Sequence, residues 1–158
     1  MAVEPTEPRV STPEEIDLGL PALFMKAFFY TRRVFDDAMS SYGVSSSQAG
    51  ILNRIYEVAG ISGVELSREM LMTPQAVQIM LANLEGKGLI ERRQDPTNRR
   101  YVRAYITDSG REVIEQLRII AVETEQKVSN GLSTGERRRL ISLLERYIDQ
   151  AARHPKGP

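Results

Sequence analysis

Two adjacent arginines that follow a polar turn are the side chains of this sequence best placed for chemistry. Arg99 and Arg100 come directly after the turn Asp95-Pro96-Thr97-Asn98. On both sides of the turn, between Leu89 and Thr107, apolar and polar residues alternate as they do in short strands. The pattern predicts a β-hairpin with a basic tip. A guanidinium at such a tip can enter the minor groove of duplex DNA, where a narrow groove concentrates negative potential. The alternative is a solvated hairpin that is basic by chance.

A second candidate site is the first part of a predicted helix that begins at Thr73-Pro74. Threonine before proline is typical of an N-cap followed by the first helical residue. Helix N-termini favour phosphate, and a glutamine on the outward face can read an adenine edge through two hydrogen bonds. An ordinary surface glutamine is the alternative, and Ile79 could touch a thymine methyl or simply pack. Helical spacing turns Val77, Met80, Leu81 and Leu84 inward and leaves Thr73, Gln75, Ala76, Gln78 and Ile79 outward.

Arginines on the predicted strands extend the candidate interface. Arg92, Arg93 and Arg103 could grip the phosphate backbone, although strand alternation lets only some of them face DNA and one could instead bond to Glu91. The run Arg137-Arg138-Arg139 is interleaved with acids in a nearly neutral helix, and we interpret it as a solvated face. The predicted DNA-binding residues are Thr73, Gln75, Ala76, Gln78, Ile79, Arg92, Arg99, Arg100 and Arg103.

The elements that position these side chains are marked by capping boxes, in which Ser is followed three residues later by Glu or Gln. The pairs are Ser45 with Gln48, Ser62 with Glu65, and Ser133 with Glu136. Three short helices followed by the hairpin predict a winged helix-turn-helix lobe over residues 45–106. The fold class is therefore mainly α with a small β-hairpin wing, joined to a helical dimerisation region.

The remaining helices carry more apolar surface than one small lobe can cover. We predict a single unit over residues 12–150, in which 12–41 and 107–150 are dimerisation helices of an obligate homodimer. Residues 1–11 have the composition of a disordered leader, and residues 151–158 that of a flexible tail.

Composition excludes several classes of site and adds little to the choice of ligand. The 21 basic and 21 acidic side chains balance, but six bases against two acids fall between Lys87 and Arg103. The chain has no cysteine and one histidine, and no catalytic or metal-ligand pattern is visible, so we expect no enzyme, no cofactor and no metal. No apolar run is long enough for a membrane span, and we expect a cytoplasmic protein with no membrane partner.

Four sequence strings in this order resemble the MarR family of transcriptional regulators, over roughly residues 21–149. They are Ile61-Ser62-Gly63-Val64-Glu65-Leu66-Ser67, Thr73-Pro74-Gln75-Ala76-Val77, Leu84-Glu85-Gly86-Lys87-Gly88-Leu89-Ile90-Glu91-Arg92, and Asp95-Pro96-Thr97-Asn98-Arg99-Arg100 followed by Ile106-Thr107. The resemblance implies a homodimeric DNA-binding repressor, often released from its operator by a small, frequently aromatic and anionic ligand. It also implies that Arg100 enters the minor groove and that Arg99 contacts phosphate.

Three segments, five residues in all, depart from the family pattern. Gln78-Ile79 stands where Thr-Arg is common, Ala82-Asn83 stands where an acidic and a basic residue are common, and Asn98 replaces a wing aspartate. The loss of that carboxylate removes a pairing that would orient Arg100 and makes the wing tip one charge more positive.

An effector pocket could lie between the dimerisation helices and the DNA-binding lobe. Its predicted lining is Met25, Phe28, Phe29, Arg33 and Tyr42, although aromatic and methionine stripes are more often core. The leading hypothesis is a dimeric, sequence-specific regulator of an inverted-repeat operator in double-stranded DNA, and a repressor relieved by an effector. The alternative is a winged-helix module that uses its basic wing to bind an acidic protein.

Overall fold

The computed structural model describes residues 19–153, which fold into six α-helices, one 3₁₀ turn and three β-strands. The predicted leader, the predicted helix start near residue 12 and residues 154–158 lie outside the described residues. In chain order the elements are α1 (Gly19–Met39), the 3₁₀ turn (Ser40–Tyr42), α2 (Ser46–Glu57), β1 (Ile61–Ser62), α3 (Gly63–Glu69), α4 (Pro74–Gly86), β2 (Ile90–Gln94), β3 (Val102–Ile106), α5 (Asp108–Val128) and α6 (Thr134–Ala152).

All three capping boxes predicted from the sequence are present. In each, the serine hydroxyl accepts a hydrogen bond from the backbone N–H three residues on, at 3.2 Å for α2 and 3.3 Å for α3 and α6. The hydroxyls of Ser62 and Ser133 also donate to the carboxylates of Glu65 and Glu136, which lowers the pKa of both acids from its ordinary value. The caps satisfy N–H groups that have no partner inside the helix, and so they define where these helices begin.

The predicted hairpin is confirmed, and it belongs to a three-stranded antiparallel sheet in the order β1-β3-β2. β2 and β3 pair from Ile90 opposite Ile106 to Gln94 opposite Val102, while β1 pairs with the other edge of β3. β1 was not predicted from the sequence, because two residues are too few for alternation to show. The fold class, mainly helical with a small sheet in a winged helix, is otherwise as predicted.

The core lies in the winged-helix lobe, where α2, α3, α4 and the sheet meet the first half of α5. Almost no surface of its largest side chains is exposed, and this burial is the main favourable contribution to folding of the lobe. The fully buried residues are Ile51, Leu52, Ile55, Leu66, Val77, Leu84, Ile90, Ile114 and Leu117.

The start of α5 is hydrogen-bonded to two of the residues that connect α4 to β2. The Thr107 hydroxyl donates to the Gly88 carbonyl at 2.6 Å, and the Thr107 amide donates to the Leu89 carbonyl at 3.1 Å. Gly110 lies so close that a Cβ built on it would be 2.0 Å from the Leu89 oxygen. Only glycine allows this approach, which links the DNA-binding lobe to the long helix that leaves it.

Except for the end of α1, where Met39 is buried, helices α1 and α6 lie outside this core. Phe24 of α1 and Tyr147 of α6 pack with their ring centroids 4.7 Å apart, yet α6 buries no residue fully. Large apolar side chains remain exposed on both helices and on the second half of α5. They include Leu20, Leu23, Met25, Phe28, Phe29, Tyr30, Ile119, Val122, Leu140, Leu143 and Ile148. Among residues 19–153, no helix combines the length and apolarity needed to span a bilayer.

Candidate DNA-binding interface

Helix α4 presents the predicted outward face. Its N-cap Thr73 accepts a hydrogen bond from the Ala76 amide at 3.2 Å, with Pro74 as the first helical residue. Val77, Leu81 and Leu84 are buried and Met80 is half-buried, so the predicted inward face is confirmed. On the opposite face Thr73, Gln75, Gln78 and Ile79 are exposed, and Ala76 is half-buried. Ile79 is 64% exposed, so it is a surface residue in this protomer.

The Gln78 side chain lies over the beginning of α3. A Cβ built on Gly63 would be 2.5 Å from Gln78 Nε2, so the glycine makes room for the amide group. The other end of the amide, Oε1, lies 3.5 Å from Nη1 of Arg92 on the wing. Gln78 therefore lies where α3, α4 and the wing meet.

Arg92 connects the wing to α4. Its Nε donates to Glu85 Oε2 at 2.7 Å, and its backbone N–H donates to Glu85 Oε1 at 3.1 Å. The hydrogen bonds from the Arg92 guanidinium are the main reason why the pKa of Glu85 is lowered. Because its guanidinium already has a carboxylate partner, Arg92 positions the wing in this structure.

Arg103 makes a second connection, between the wing and the helix-turn-helix. Its Nε donates to Asp95 Oδ2 at 2.7 Å and its Nη1 to the Gly60 carbonyl at 3.0 Å, while Glu65 Oε2 lies 3.8 Å away. The side chain thus joins the wing turn, the loop before β1 and the first turn of α3. Arg93, on the neighbouring strand, pairs with Glu91 and lies over the ring of Tyr105.

Asp95 organises the wing turn. Its Oδ1 accepts from the Thr97 amide at 2.8 Å, the Thr97 hydroxyl at 2.6 Å and the Asn98 amide at 3.2 Å. These bonds, the Thr97 hydroxyl first and Arg103 next, hold the pKa of Asp95 far below its ordinary value. From the sequence, Asp95 was predicted only as part of a polar turn, although aspartate before proline is a recognised turn signal.

Asn98, which stands where the family pattern has aspartate, contacts the backbone of the wing. Its Oδ1 accepts a hydrogen bond from the Arg100 amide at 3.1 Å. An amide oxygen is enough for this turn, so Arg100 is positioned through its backbone despite the missing carboxylate.

Arg99 and Arg100 occupy the exposed tip of the wing. Neither guanidinium forms an ion pair with a carboxylate of residues 19–153, in contrast to Arg92, Arg93 and Arg103. The structure therefore divides the predicted wing arginines into two groups. Those on the strands are paired inside the lobe, and those at the tip are available to a ligand.

The residues predicted to line an effector pocket lie on exposed surfaces of α1 and of the 3₁₀ turn. Met25, Phe28, Phe29, Arg33 and Tyr42 are all exposed, and none of them lines the apolar cleft of about 400 Å³ that lies between α1, α2 and α5. That cleft is lined by Phe35, Met39, Ser46, Ala49, Gly50, Asn53, Ile114, Leu117, Arg118, Ala121 and Val122.

The edge of the cleft carries the Arg118 guanidinium and a hydrogen bond between α1 and α2. The Arg118 guanidinium lies 5.5 Å from the centroid of the Tyr56 ring. Across the cleft, the Ser46 amide at the start of α2 donates to Asp36 Oδ1 of α1 at 2.6 Å, and Ser46 is the main cause of the lowered pKa of Asp36. The cleft thus adjoins a contact between α1 and the DNA-binding lobe. No group of His, Cys, Asp and Glu within residues 19–153 is arranged to hold a metal ion.

Comparison with known proteins identifies the architecture. The family model described as "MarR family" matches residues 42–100. The HTH-type transcriptional regulator YdgJ of Bacillus subtilis is 33% identical over 104 residues, which are 66% of this chain and 63% of that protein. A transcriptional regulatory protein assigned to the hcr operon of Thauera aromatica is 31% identical over 113 residues, 72% of this chain and 68% of that protein.

A solved structure extends the likeness to most of the chain. A mutant of E. coli MarR complexed with operator DNA superposes with a TM-score of 0.79 at 25% identity, covering 87% of this chain and 99% of that chain. The resemblance inferred from the four sequence strings is confirmed. The chain belongs to the MarR family of transcriptional regulators.

Proposed function

We propose that this protein is a homodimeric, cytoplasmic repressor that binds an inverted-repeat operator in double-stranded DNA. The observation that carries the proposal is that two guanidinium groups, those of Arg99 and Arg100, have no carboxylate partner among residues 19–153 and lie at the tip of a wing that is bonded to α4. Arg92, through Glu85 of α4, and Arg103, through the Gly60 carbonyl, hold the wing in place. A helix face and a basic tip held side by side match a major groove and the minor groove next to it.

The outward residues of α4 make the base contacts in this proposal. Thr73, Gln75 and Ala76 enter the major groove at the helix N-terminus, and Gln78 and Ile79 follow one turn later. At the wing, Arg100 enters the minor groove and Arg99 contacts phosphate. Arg92 and Arg103, which were predicted as phosphate contacts, act here by fixing the geometry of the wing.

A second copy of the chain covers the exposed apolar side chains of α1, α5 and α6. Contiguous apolar surface of this kind is rarely left to solvent in a stable protein. A two-fold dimer would place two α4 helices about one DNA turn, roughly 34 Å, apart, which is why the operator should be an inverted repeat. A chain that sediments as a monomer at micromolar concentration would contradict this assembly.

The effector of this proposal occupies the cleft between α1, α2 and α5, where a small aromatic anion could place its ring on apolar side chains and its charge near Arg118. The cleft contacts the dimerisation helices and the lobe at once, so a ligand there could change the separation of the two α4 helices. It must bind the DNA-incompetent arrangement more tightly, since equal affinity for both arrangements shifts nothing.

The decisive experiment measures fluorescence anisotropy with the DNA upstream of the protein's own gene and with a shuffled duplex, across a salt series. We expect specific binding to be at least about a thousandfold tighter than binding to the shuffled duplex at equal salt. Equal affinity for both duplexes would overturn the proposal and favour an acidic protein as the partner of the wing.

The effector site has its own test, with benzoate as a small aromatic anion. Ala121→Phe fills the cleft, so benzoate should no longer release the operator from this variant, while operator binding itself is kept. Phe28→Ala, outside the cleft, is the matched control and should respond as wild type does. If only Phe28→Ala lost the release by benzoate, the effector pocket would lie at the aromatic residues of α1.

A further inference from the structure

The turn between α3 and α4 holds a leucine in a backbone conformation that glycine occupies elsewhere in this chain. Leu71 has φ of 53°, and it is the one non-glycine residue of the described chain with a positive φ. The described glycines with positive φ are Gly43, Gly60 and Gly88. For an L-residue this conformation brings Cβ too close to the backbone, and it is unfavourable for a branched side chain such as leucine.

The two helices of the helix-turn-helix end in the same motif with different residues at the critical position. After α3, Leu71 N–H donates to the Arg68 carbonyl at 3.4 Å and Met72 N–H to the Ser67 carbonyl at 3.0 Å. After α4, the same pair of bonds is made by the N–H groups of Gly88 and of the residue that follows it, at 2.8 and 3.0 Å. This is the Schellman motif, whose left-handed position is usually glycine. α4 follows the rule, and α3 does not.

The Leu71 side chain is not covered by the described residues of the protomer. It is 92% exposed, the highest exposed fraction among the large apolar side chains of the described residues. A second copy on α1, α5 and α6 would not cover it, because α3 packs mainly on α4, β1 and β3. Unless a ligand contacts it, an exposed leucine in a strained turn is unfavourable both in its backbone conformation and in its exposed apolar surface.

The position of the turn indicates which ligand this is. Leu71 lies two residues before Thr73, the N-cap of α4. An α-helix with its side chains, about 10–12 Å wide, nearly fills a major groove about 12 Å wide, so the chain that enters the helix must cross the sugar-phosphate edge of the groove. Arg68 stands beside Leu71 on the same surface, is exposed, and forms no ion pair with a carboxylate of residues 19–153. A cation next to an apolar side chain complements a phosphate next to a deoxyribose.

We propose that Leu71 is a DNA-contacting residue, which packs its side chain on a deoxyribose at the edge of the major groove while Arg68 contacts the adjacent phosphate. This rests on the proposed function. The backbone strain at the turn is retained because it directs an apolar group toward the DNA. Leu71 adds affinity through apolar contact and exchanges no counterion, in contrast to the arginines of the wing.

The test compares two substitutions at the same position. Leu71→Asn tolerates a positive φ and removes the apolar contact, whereas Leu71→Met keeps both the strain and an apolar side chain. We expect the Asn variant to melt about 2 °C higher than wild type and to bind its upstream DNA about fivefold more weakly. Its slope of log K against log salt should be unchanged, since no charged contact is lost. The Met variant should match wild type in all three measurements.

Three results would overturn the inference. Wild-type affinity in the Asn variant would mean that DNA does not touch Leu71. A lower melting temperature would give Leu71 a structural role, and a smaller salt slope would mean that the substitution disturbed a phosphate contact. Failure of the wild-type chain to bind DNA would overturn the proposed function and this contact together, and that failure is separable because it appears before any substitution is made.

Discussion

Replacing Gly110 by alanine should destabilise the protein, because the added methyl group has no space at the start of α5. A Cβ there would lie 2.0 Å from the Leu89 carbonyl oxygen and 2.8 Å from Ile106 Cγ1, whereas real Cβ contacts stay above 3.0 Å. The helix would have to move by about 1 Å, which strains the hydrogen bonds from Thr107 to Gly88 and Leu89. Overpacking costs about 1–3 kcal/mol and each weakened hydrogen bond up to about 1 kcal/mol, so we expect a loss of about 3 kcal/mol.

The assay is urea denaturation at one fixed protein concentration, since association also adds to stability. Gly135→Ala is the matched control: it makes the same chemical change in the first turn of α6, where a Cβ would meet nothing within 4 Å. The control should gain up to about 1 kcal/mol, the usual benefit of alanine over glycine in a helix. Unchanged stability of Gly110→Ala would refute the close approach of α5 to Leu89. If both variants lost the same free energy of unfolding, the effect would come from the change in backbone flexibility, and the steric explanation would be wrong.

Three further predictions concern the interface and its charges. Arg100→Ala should weaken operator binding more than Arg138→Ala and lower the salt slope by about one, because the wing tip meets phosphate and α6 does not; equal effects would remove the wing from the mechanism. Gln78→Ala should reduce discrimination between operator variants by about 1–3 kcal/mol at one base step in competition binding, with nonspecific affinity nearly unchanged. Uniform weakening across sequences would mean that Gln78 contacts the DNA backbone. Folding lowers the pKa values of Asp95 and Glu85, so protonation of these carboxylates favours the unfolded chain. The urea concentration at the unfolding midpoint should be constant above about pH 5, and it should decrease as the pH falls below the ordinary pKa values of 3.8 and 4.5. A constant midpoint down to about pH 3 would contradict the pairing of these carboxylates.

The elements were predictable where local chemistry determines them. Ser45, Ser62 and Ser133 begin helices because their hydroxyls satisfy backbone groups three residues away, and that partner is visible in the sequence. The inward face of α4 followed in the same way from helical periodicity. A two-residue strand such as β1 contains no periodicity, and only its pairing with β3 identifies it.

The roles of the arginines were less predictable because they depend on tertiary neighbours. Arg92 and Arg103 were predicted to contact the phosphate backbone, although strand alternation lets only some of the strand arginines face DNA. Their partners lie on α4, on the wing turn and in the loop before β1, and the fold alone brings these together. The apolar cleft shows the same limitation, since α5, which is distant in sequence, completes it with α1 and α2. The aromatic residues of α1 lie on an exposed face.

The arginine contacts that hold the wing against α4 and α3 also determine which partner must change shape on binding. Arg92 bonds to Glu85, and Arg103 bonds to Asp95 and to the Gly60 carbonyl. Bonds of this kind oppose a change in the distance between the wing and α4, so we expect the DNA to adapt its groove width and bend to the protein. The energy of that deformation depends on base sequence even at positions that no side chain touches. Operators of this protein should therefore be distinguished partly by the stiffness of the base steps between the α4 contacts and the wing contacts.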